Sequence, residues 1–203
     1  MPHVQPSYNR CPTQAAPVLA VRDQTLGFFE MRWGLVPKWA KSIAEASKYS
    51  LINARFEEIE NKPSYRQAFK NQRGIIPVSG FYEWHREGNQ KTPYAISLVD
   101  QPIMSFAGIW ETWADPKTGE VVDSFSVVTI PALGEMAKVH DRMPLVLQSD
   151  EEEAWLDPKN KTKQELSSFA SLRQCPTFKI YPISSRVNSP KNNSADLLDI
   201  LAE

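Results

Sequence analysis

The sequence predicts an α+β protein: mostly antiparallel strands surrounded by short helices. Short runs of apolar, β-branched and aromatic residues recur between turn signals, the mark of strands. The helical stretches between them are brief. Sixteen prolines against eight glycines favour rigid loops and strand ends. A length of 203 residues suits a single domain with a substantial core. No internal repeat, low-complexity tract or linker divides the chain, so residues 1–203 are expected to form one domain.

Residues 1–16 hold three prolines and no periodicity, and read as a loop. Pro17–Arg22 and Phe28–Trp33 predict a strand pair with a turn near Gln24–Gly27. Arg32-Trp33-Gly34-Leu35-Val36-Pro37-Lys38-Trp39 is either a stacking loop beside phosphates or a hydrophobic corner. Lys41–Lys48 is weakly helical. In Leu51–Arg55, alternation places Asn53 and Arg55 on one face and Ile52 and Ala54 on the other. An amide beside a guanidinium suits an anionic ligand, although an ordinary surface strand carries the same pattern. Phe56–Arg73 is predicted helical, with Pro63 opening a second short helix.

Gly74–Val78 reads as a strand that runs on through Ser79-Gly80-Phe81-Tyr82-Glu83-Trp84. Alternation lines up Ile75, Ser79, Phe81 and Glu83 on one face, with Ile76, Val78, Tyr82 and Trp84 on the other. Glu83 is the odd member of its row. Burial there raises a carboxyl pKa and suits it to proton transfer near neutrality; on an edge strand the same residue simply points into water. Arg86–Lys91 is a polar turn, answered by a strand at Tyr94–Val99, so 75–99 forms a hairpin. Met104–Trp110 and Phe125–Ile130 are further strands, and Leu133–Val139 is a short helix. His140 follows at that helix's end, placed either as an acid–base group or as a capping residue. Leu145–Leu147 is extended. Ser149 with Glu152 forms a capping box for a helix through Leu156, and another helix spans 162–172. Phe178–Ile183 is the last strand, Ser184–Asn193 a polar loop, and Asp196–Leu201 a short terminal helix.

Net charge is −1, without the basic excess common in duplex-DNA proteins, so any nucleic-acid site is a local patch. Cys11 and Cys175 match no disulfide or zinc spacing. Gly-rich phosphate loops, His-Glu zinc pairs and Ser-His-Asp signatures are missing, and neither metal nor cofactor is expected. With no apolar stretch of membrane-spanning length, the chain is expected to be cytoplasmic, away from membranes, with reduced thiols.

Several segments, in order, resemble the SRAP family (SOS response-associated peptidase-like proteins). They are Ser7-Tyr8-Asn9 with Pro12, Arg32–Pro37 with Trp39, Asn53-Ala54-Arg55, Gly80–Trp84, Thr92-Pro93-Tyr94, Ala107–Trp110, Val128-Thr129 and His140–Pro144. The resemblance spans Ser7 to Asn193. It implies a barrel-like core and a shallow positive cleft for single-stranded DNA carrying abasic sites. It also implies an N-terminal cysteine that reacts covalently with the abasic aldehyde. By the match, Asn53 orients the nucleophile, while Glu83 and His140 move protons. Arg55 and Arg142 hold phosphates, Trp39 and Trp84 line the groove, and Pro12 and Thr129 join the DNA-contacting set. The protein is expected to act as a monomer, associated with the nucleoid when bound to DNA. Self-cleavage of an N-terminal pro-peptide in some members accounts for the peptidase label.

The sequence departs from the family at its start. The resemblance implies an opening Met-Cys-Gly-Arg and tens of residues before the segment matching Ser7-Tyr8-Asn9, whereas Met1-Pro2-His3 stands just ahead of Ser7. A truncated form is the expectation, with the lost strand leaving a sheet edge or groove exposed. Cys11 and Cys175 cannot replace the missing residue, because ring closure on an imine needs amine and thiol on one residue. Alternative readings are a non-catalytic single-strand DNA binder and a peptidase using Glu83 and His140.

Overall fold

The computed structural model describes residues 6–160, 162–166 and 176–201. Its strands, in chain order, are β1 (Ala15–Arg22), β2 (Thr25–Trp33), β3 (Asn53–Arg55), β4 (Arg73–Val78), β5 (Phe81–Glu87), β6 (Gln90–Leu98), β7 (Met104–Ala114), β8 (Val121–Pro131), β9 (Arg142–Pro144), β10 (Val146–Leu147) and β11 (Phe178–Pro182). Three short α-helices accompany them: α1 (Ile43–Ser47), α2 (Arg66–Asn71) and α3 (Ser149–Leu156). Among the described residues no helix is long and apolar enough to cross a membrane.

A five-stranded ring closes on itself. β1 pairs β2 and β4, β4 pairs β7, β7 pairs β8, and β8 returns to β2 through a short parallel contact. Closure removes the exposed edges that an open sheet would leave. Alternate residues from each strand fill the interior: Val18, Ala20, Met31, Ile76, Phe106, Trp110, Phe125 and Val127 are all buried. The register makes this one face, since Ile76 opposes Phe106 and Trp110 opposes Phe125. The outward residues Ile75, Ala107, Ile109, Val128 and Ile130 pack under Phe69 of α2 and Trp155 of α3. Barrel and helices thus share a two-layer core, as expected from sheet alternation.

Arg73 ties these layers. It was expected to end a helix, but it opens β4 and lies 5% exposed. Its guanidinium donates to the carbonyls of Phe69, Trp155 and Asp157, at the ends of α2 and α3. Burial lowers its pKa to about 10, against the pull of Asp157 and Glu165. Between Phe56 and Arg73 the expected helix shrinks to a 3₁₀ turn at Phe56–Glu58 and to α2. Pro63 has no N–H to offer a continuous helix. The cap of α3 sits one residue earlier than predicted: Gln148 N–H donates to Glu151, while Glu152 accepts from Ser105 instead. Gly134–Lys138 and Ala195–Leu198 are 3₁₀ rather than α-helical. The tight β1–β2 turn is Asp23-Gln24, both at positive φ, one step before the predicted position. Of the helix expected at 162–172, residues 162–166 are turns, and the remainder lies outside the described residues, as does Cys175.

One difference matters for the site. The strand predicted to run from Gly74 to Trp84 breaks at Ser79-Gly80. β4 belongs to the barrel, while β5 joins a second sheet in the order β11-β6-β5. At Gly80 the chain crosses so close to β6 that an added Cβ would stand 3.0 Å from the carbonyl oxygen of Ile96. Phe81 then packs edge-on against Phe106, 5.5 Å between centroids, and holds the small sheet to the barrel. Gly80→Ala should therefore destabilise the fold by about 1–3 kcal/mol, through overpacking against backbone. An unchanged denaturant midpoint would refute this tight crossing.

Candidate active site

The site grows from two pieces of backbone. On the barrel side, β3 and β9 flank the end of β8 on opposite edges. Arg55 opposes Thr129, Thr129 opposes Pro144, and Pro131 opposes Arg142. Asn53, Arg55, Thr129 and Arg142 therefore share one face, continuous with the barrel interior at Val127. Their alternates Ala54, Val128, Ile130 and Met143 are buried in the core behind. The expected alternation of Leu51–Arg55 is present: Asn53 and Arg55 are exposed while Ala54 is buried. The Arg55 side chain makes no hydrogen bond or ion pair with any described residue, although its charge acts on Glu57. The carbonyl of Asn53 accepts from the Tyr65 hydroxyl at 3.0 Å, which steadies the strand and leaves the amide side chain outward.

Trp33 closes the barrel mouth beside them. Its ring stacks on Phe125, 6.4 Å away and 9° from parallel. Its indole N–H donates to the carbonyl of Ile52, next to Asn53. The Pro12 loop is laid over it, with Thr13 N–H on the carbonyl of Trp33.

On the other piece, β5 presents Phe81 and Glu83 on one face, and Tyr82 and Trp84 on the opposite one. Glu83 Oε2 lies 4.0 Å from His140 Nε2, a pair brought together from the small sheet and from the segment entering β9. Burial raises the Glu83 pKa; His140 and a backbone hydrogen bond at Trp84 oppose the rise, Asp141 adds to it and Lys91 opposes it. His140 Nδ1 accepts the backbone N–H of Arg142 at 3.0 Å. A ring nitrogen that accepts carries no proton, so with Nδ1 accepting there a neutral imidazole holds its proton on Nε2, toward Glu83; the carbonyl of Arg142 and Asp141 Oδ1 favour the other tautomer. Protonated, His140 finds Asp141 Oδ1 at 3.1 Å and the carbonyl of Arg142 at 3.2 Å from Nδ1. Both charge states have partners, as a proton carrier requires.

Arg142 is not a free cation. Nη1 and Nη2 meet Glu57 Oε1 and Oε2 at 3.1 and 3.0 Å, and Nη2 also donates to the carbonyl and hydroxyl of Thr129. Burial pushes the Glu57 carboxyl up, but Arg142 and Arg55 bring it below the ordinary range. Thr129 itself is only 6% exposed, and its hydroxyl faces the guanidinium rather than solvent. Trp84 packs on Ile183 and Val187, on the far side of β5 from Glu83. Its N–H is bound by Asn188, and Lys91 lies over its ring. Trp39 stands 45% exposed, with its edge against exposed Tyr49. Its loop is pinned by Trp113 N–H on the carbonyl of Ala40.

Two carboxylates escaped the sequence reading. Glu57 fell in a stretch expected to be helical. Glu111, directly after Ala107–Trp110, is 4% exposed and pairs Lys38 beside Trp39 at 3.2 Å. Burial raises its pKa, against Lys38. Alternation along β7 offered the only signal: Glu111 falls on the outward face with Ala107 and Ile109.

Comparison with known proteins gives the family. A family model described as SOS response associated peptidase (SRAP) matches residues 1–190. The abasic site processing protein YoaM of Bacillus subtilis is 40% identical over 200 residues, covering 96% of this chain and 85% of that protein. The abasic site processing protein HMCES of Gallus gallus is 29% identical, covering 96% of this chain and 66% of that protein. A crystal structure of a protein from Bacteroides thetaiotaomicron superposes with a TM-score of 0.81 at 31% identity, over 94% of this chain and 82% of that one. The ordered segments, the closed barrel and these matches lead to one conclusion: the chain belongs to the SOS response associated peptidase family.

Proposed function

We propose that this protein processes abasic sites in single-stranded DNA. Glu83 and His140 serve as the proton-transfer pair, Asn53 orients the nucleophile, Arg55 acts on phosphates, and Arg142, gripped by Glu57, braces the site. The observation that carries the reading is the approach of Glu83 to His140 across two sheets, beside a face bearing exposed Asn53 and Arg55. The names of the relatives supply the substrate class. An opened abasic sugar presents an aldehyde. In a form that carries the family's N-terminal cysteine, its amine attacks C1′ while protonated Glu83 gives its proton to the aldehyde oxygen; the Glu83 carboxylate, steadied by His140 Nε2–H, then takes one proton from the nitrogen, leaving a neutral carbinolamine. Glu83 gives that proton to the hydroxyl, which leaves as water, and recovers the last proton from the nitrogen, so a neutral imine forms. The cysteine thiol then adds across the C=N bond, sulfur to carbon and proton to nitrogen, closing a stable ring. Exposed Trp39 offers a face for stacking a neighbouring base.

Incubation of the full-length protein with an abasic single-stranded oligonucleotide tests this on a denaturing gel. A shifted band without reductant is expected. A band only after borohydride would assign the chemistry to another amine, and no adduct in either case would overturn the covalent step. Arg55→Ala should flatten the dependence of log affinity on log salt by about 0.7, the release expected for one single-strand phosphate contact. An unaltered slope would remove Arg55 from the interface.

A further inference from the structure

Glu57 has no direct contact with Glu83 or His140, yet one residue, Arg142, connects it to His140. It grips the end of the Arg142 guanidinium with both carboxylate oxygens. The backbone N–H of that same Arg142 meets His140 Nδ1. We propose that Glu57 is a positioning residue: by clamping Arg142 it fixes the peptide whose N–H keeps the His140 proton on Nε2, facing Glu83. This rests on reading Glu83 and His140 as the proton-transfer pair.

The imidazole is contested ground. Arg142 N–H, at 3.0 Å, favours a bare Nδ1. The carbonyl of Arg142 and Asp141 Oδ1, at 3.2 and 3.1 Å, favour a proton there. Asp141 is 84% exposed at its side chain, so water screens its pull. The balance then depends on where the Arg142 peptide sits. That peptide is held at its carbonyl end by the Ala132 N–H, 2.9 Å from the carbonyl oxygen of Asp141, and β9 beyond it has only three residues. The Arg142 side chain supplies a second anchor, through Glu57 on its end and Thr129 on its flank. Among the described residues the buried Nε has no hydrogen-bond partner. Without the Glu57 carboxylate, Nη1 loses its partner too, and among those residues Thr129 alone restrains the group. The charged groups around the ring are Glu83 from β5, with Lys91 acting on it from β6, and Asp141 and Arg142 on its own segment, with Glu57 behind Arg142.

The test is the ring itself. Long-range proton–nitrogen correlation spectra of ¹⁵N-histidine protein, recorded without DNA, report the tautomer of His140. The parent should show the Nε2–H form. Glu57→Ala should raise the Nδ1–H fraction, Glu57→Gln should do so less, and Glu57→Asp should partly restore the parent spectrum. The abasic reaction of Glu57→Ala should slow about tenfold, with its pH profile displaced and strand affinity little altered. An unchanged His140 spectrum in both Glu57→Ala and Glu57→Gln would overturn the proposal. So would tighter strand binding by Glu57→Ala with an unchanged spectrum, which would make Glu57 a stand-in anion displaced by phosphate. Because the spectra need no DNA, they stand whether or not the abasic substrate is the right one.

Discussion

Replacing Glu83 by Gln should slow abasic-site processing by about 10²–10⁴-fold, the usual worth of a positioned proton donor. Single-strand binding should survive, since Gln keeps the shape and no phosphate contact is assigned to this side chain. The same variant should melt higher than the parent at neutral pH. Burial raises the Glu83 pKa in the folded state. Such a carboxyl contributes stability that is full below the unfolded carboxylate range and is lost as pH rises through the folded value. At neutral pH the penalty of burying the charge is therefore present, and Gln removes it. The gap in melting temperature between variant and parent should close as pH falls through that window. A variant that reacts at the parental rate would strip Glu83 of its role. A variant that melts lower at neutral pH would show that His140 more than compensates the buried charge.

The largest structural effect should come from Trp155→Ala. Trp155 is fully buried in α3, and its indole N–H reaches the carbonyls of Gly74 and Gly108, on the paired barrel strands β4 and β7, at 3.0 and 3.3 Å. Its ring leans on Phe69, 6.1 Å away, and its own carbonyl accepts from Arg73. Truncation leaves a cavity where helix, strand and guanidinium meet, at a cost of about 3–5 kcal/mol, or roughly 2 M in urea midpoint. Trp155→Phe keeps most of the volume and loses the N–H, so about 1–2 kcal/mol is expected. Equal losses in the two variants would mean that the hydrogen bonds outweigh the packing.

What the sequence disclosed, and what it withheld, divides along sequence distance. The alternation in Leu51–Arg55 placed Asn53 and Arg55 together because period-two geometry is local. The contrast of Glu83 with Tyr82 and Trp84 was legible for the same reason. The break at Ser79-Gly80 was not, since both halves have strand composition and only the distant partners Phe106 and Ile96 distinguish their sheets. Glu57 was hidden because its partner lies far along the chain, and because helical propensity says nothing about where a carboxylate points. Arg73 looked like a basic residue at a helix end. Its burial depends on carbonyls from two helices that meet only in the folded chain.

The handover between sheets has a mechanical consequence. Glu83 and His140 stand on different sheets, and the gap between them is set by what joins those sheets: the Ser79-Gly80 crossing, the connection from β6 to β7, and Ile96 and Phe81 seated in the shared core. Any substitution that loosens that seam is expected to widen the 4.0 Å gap without touching either side chain.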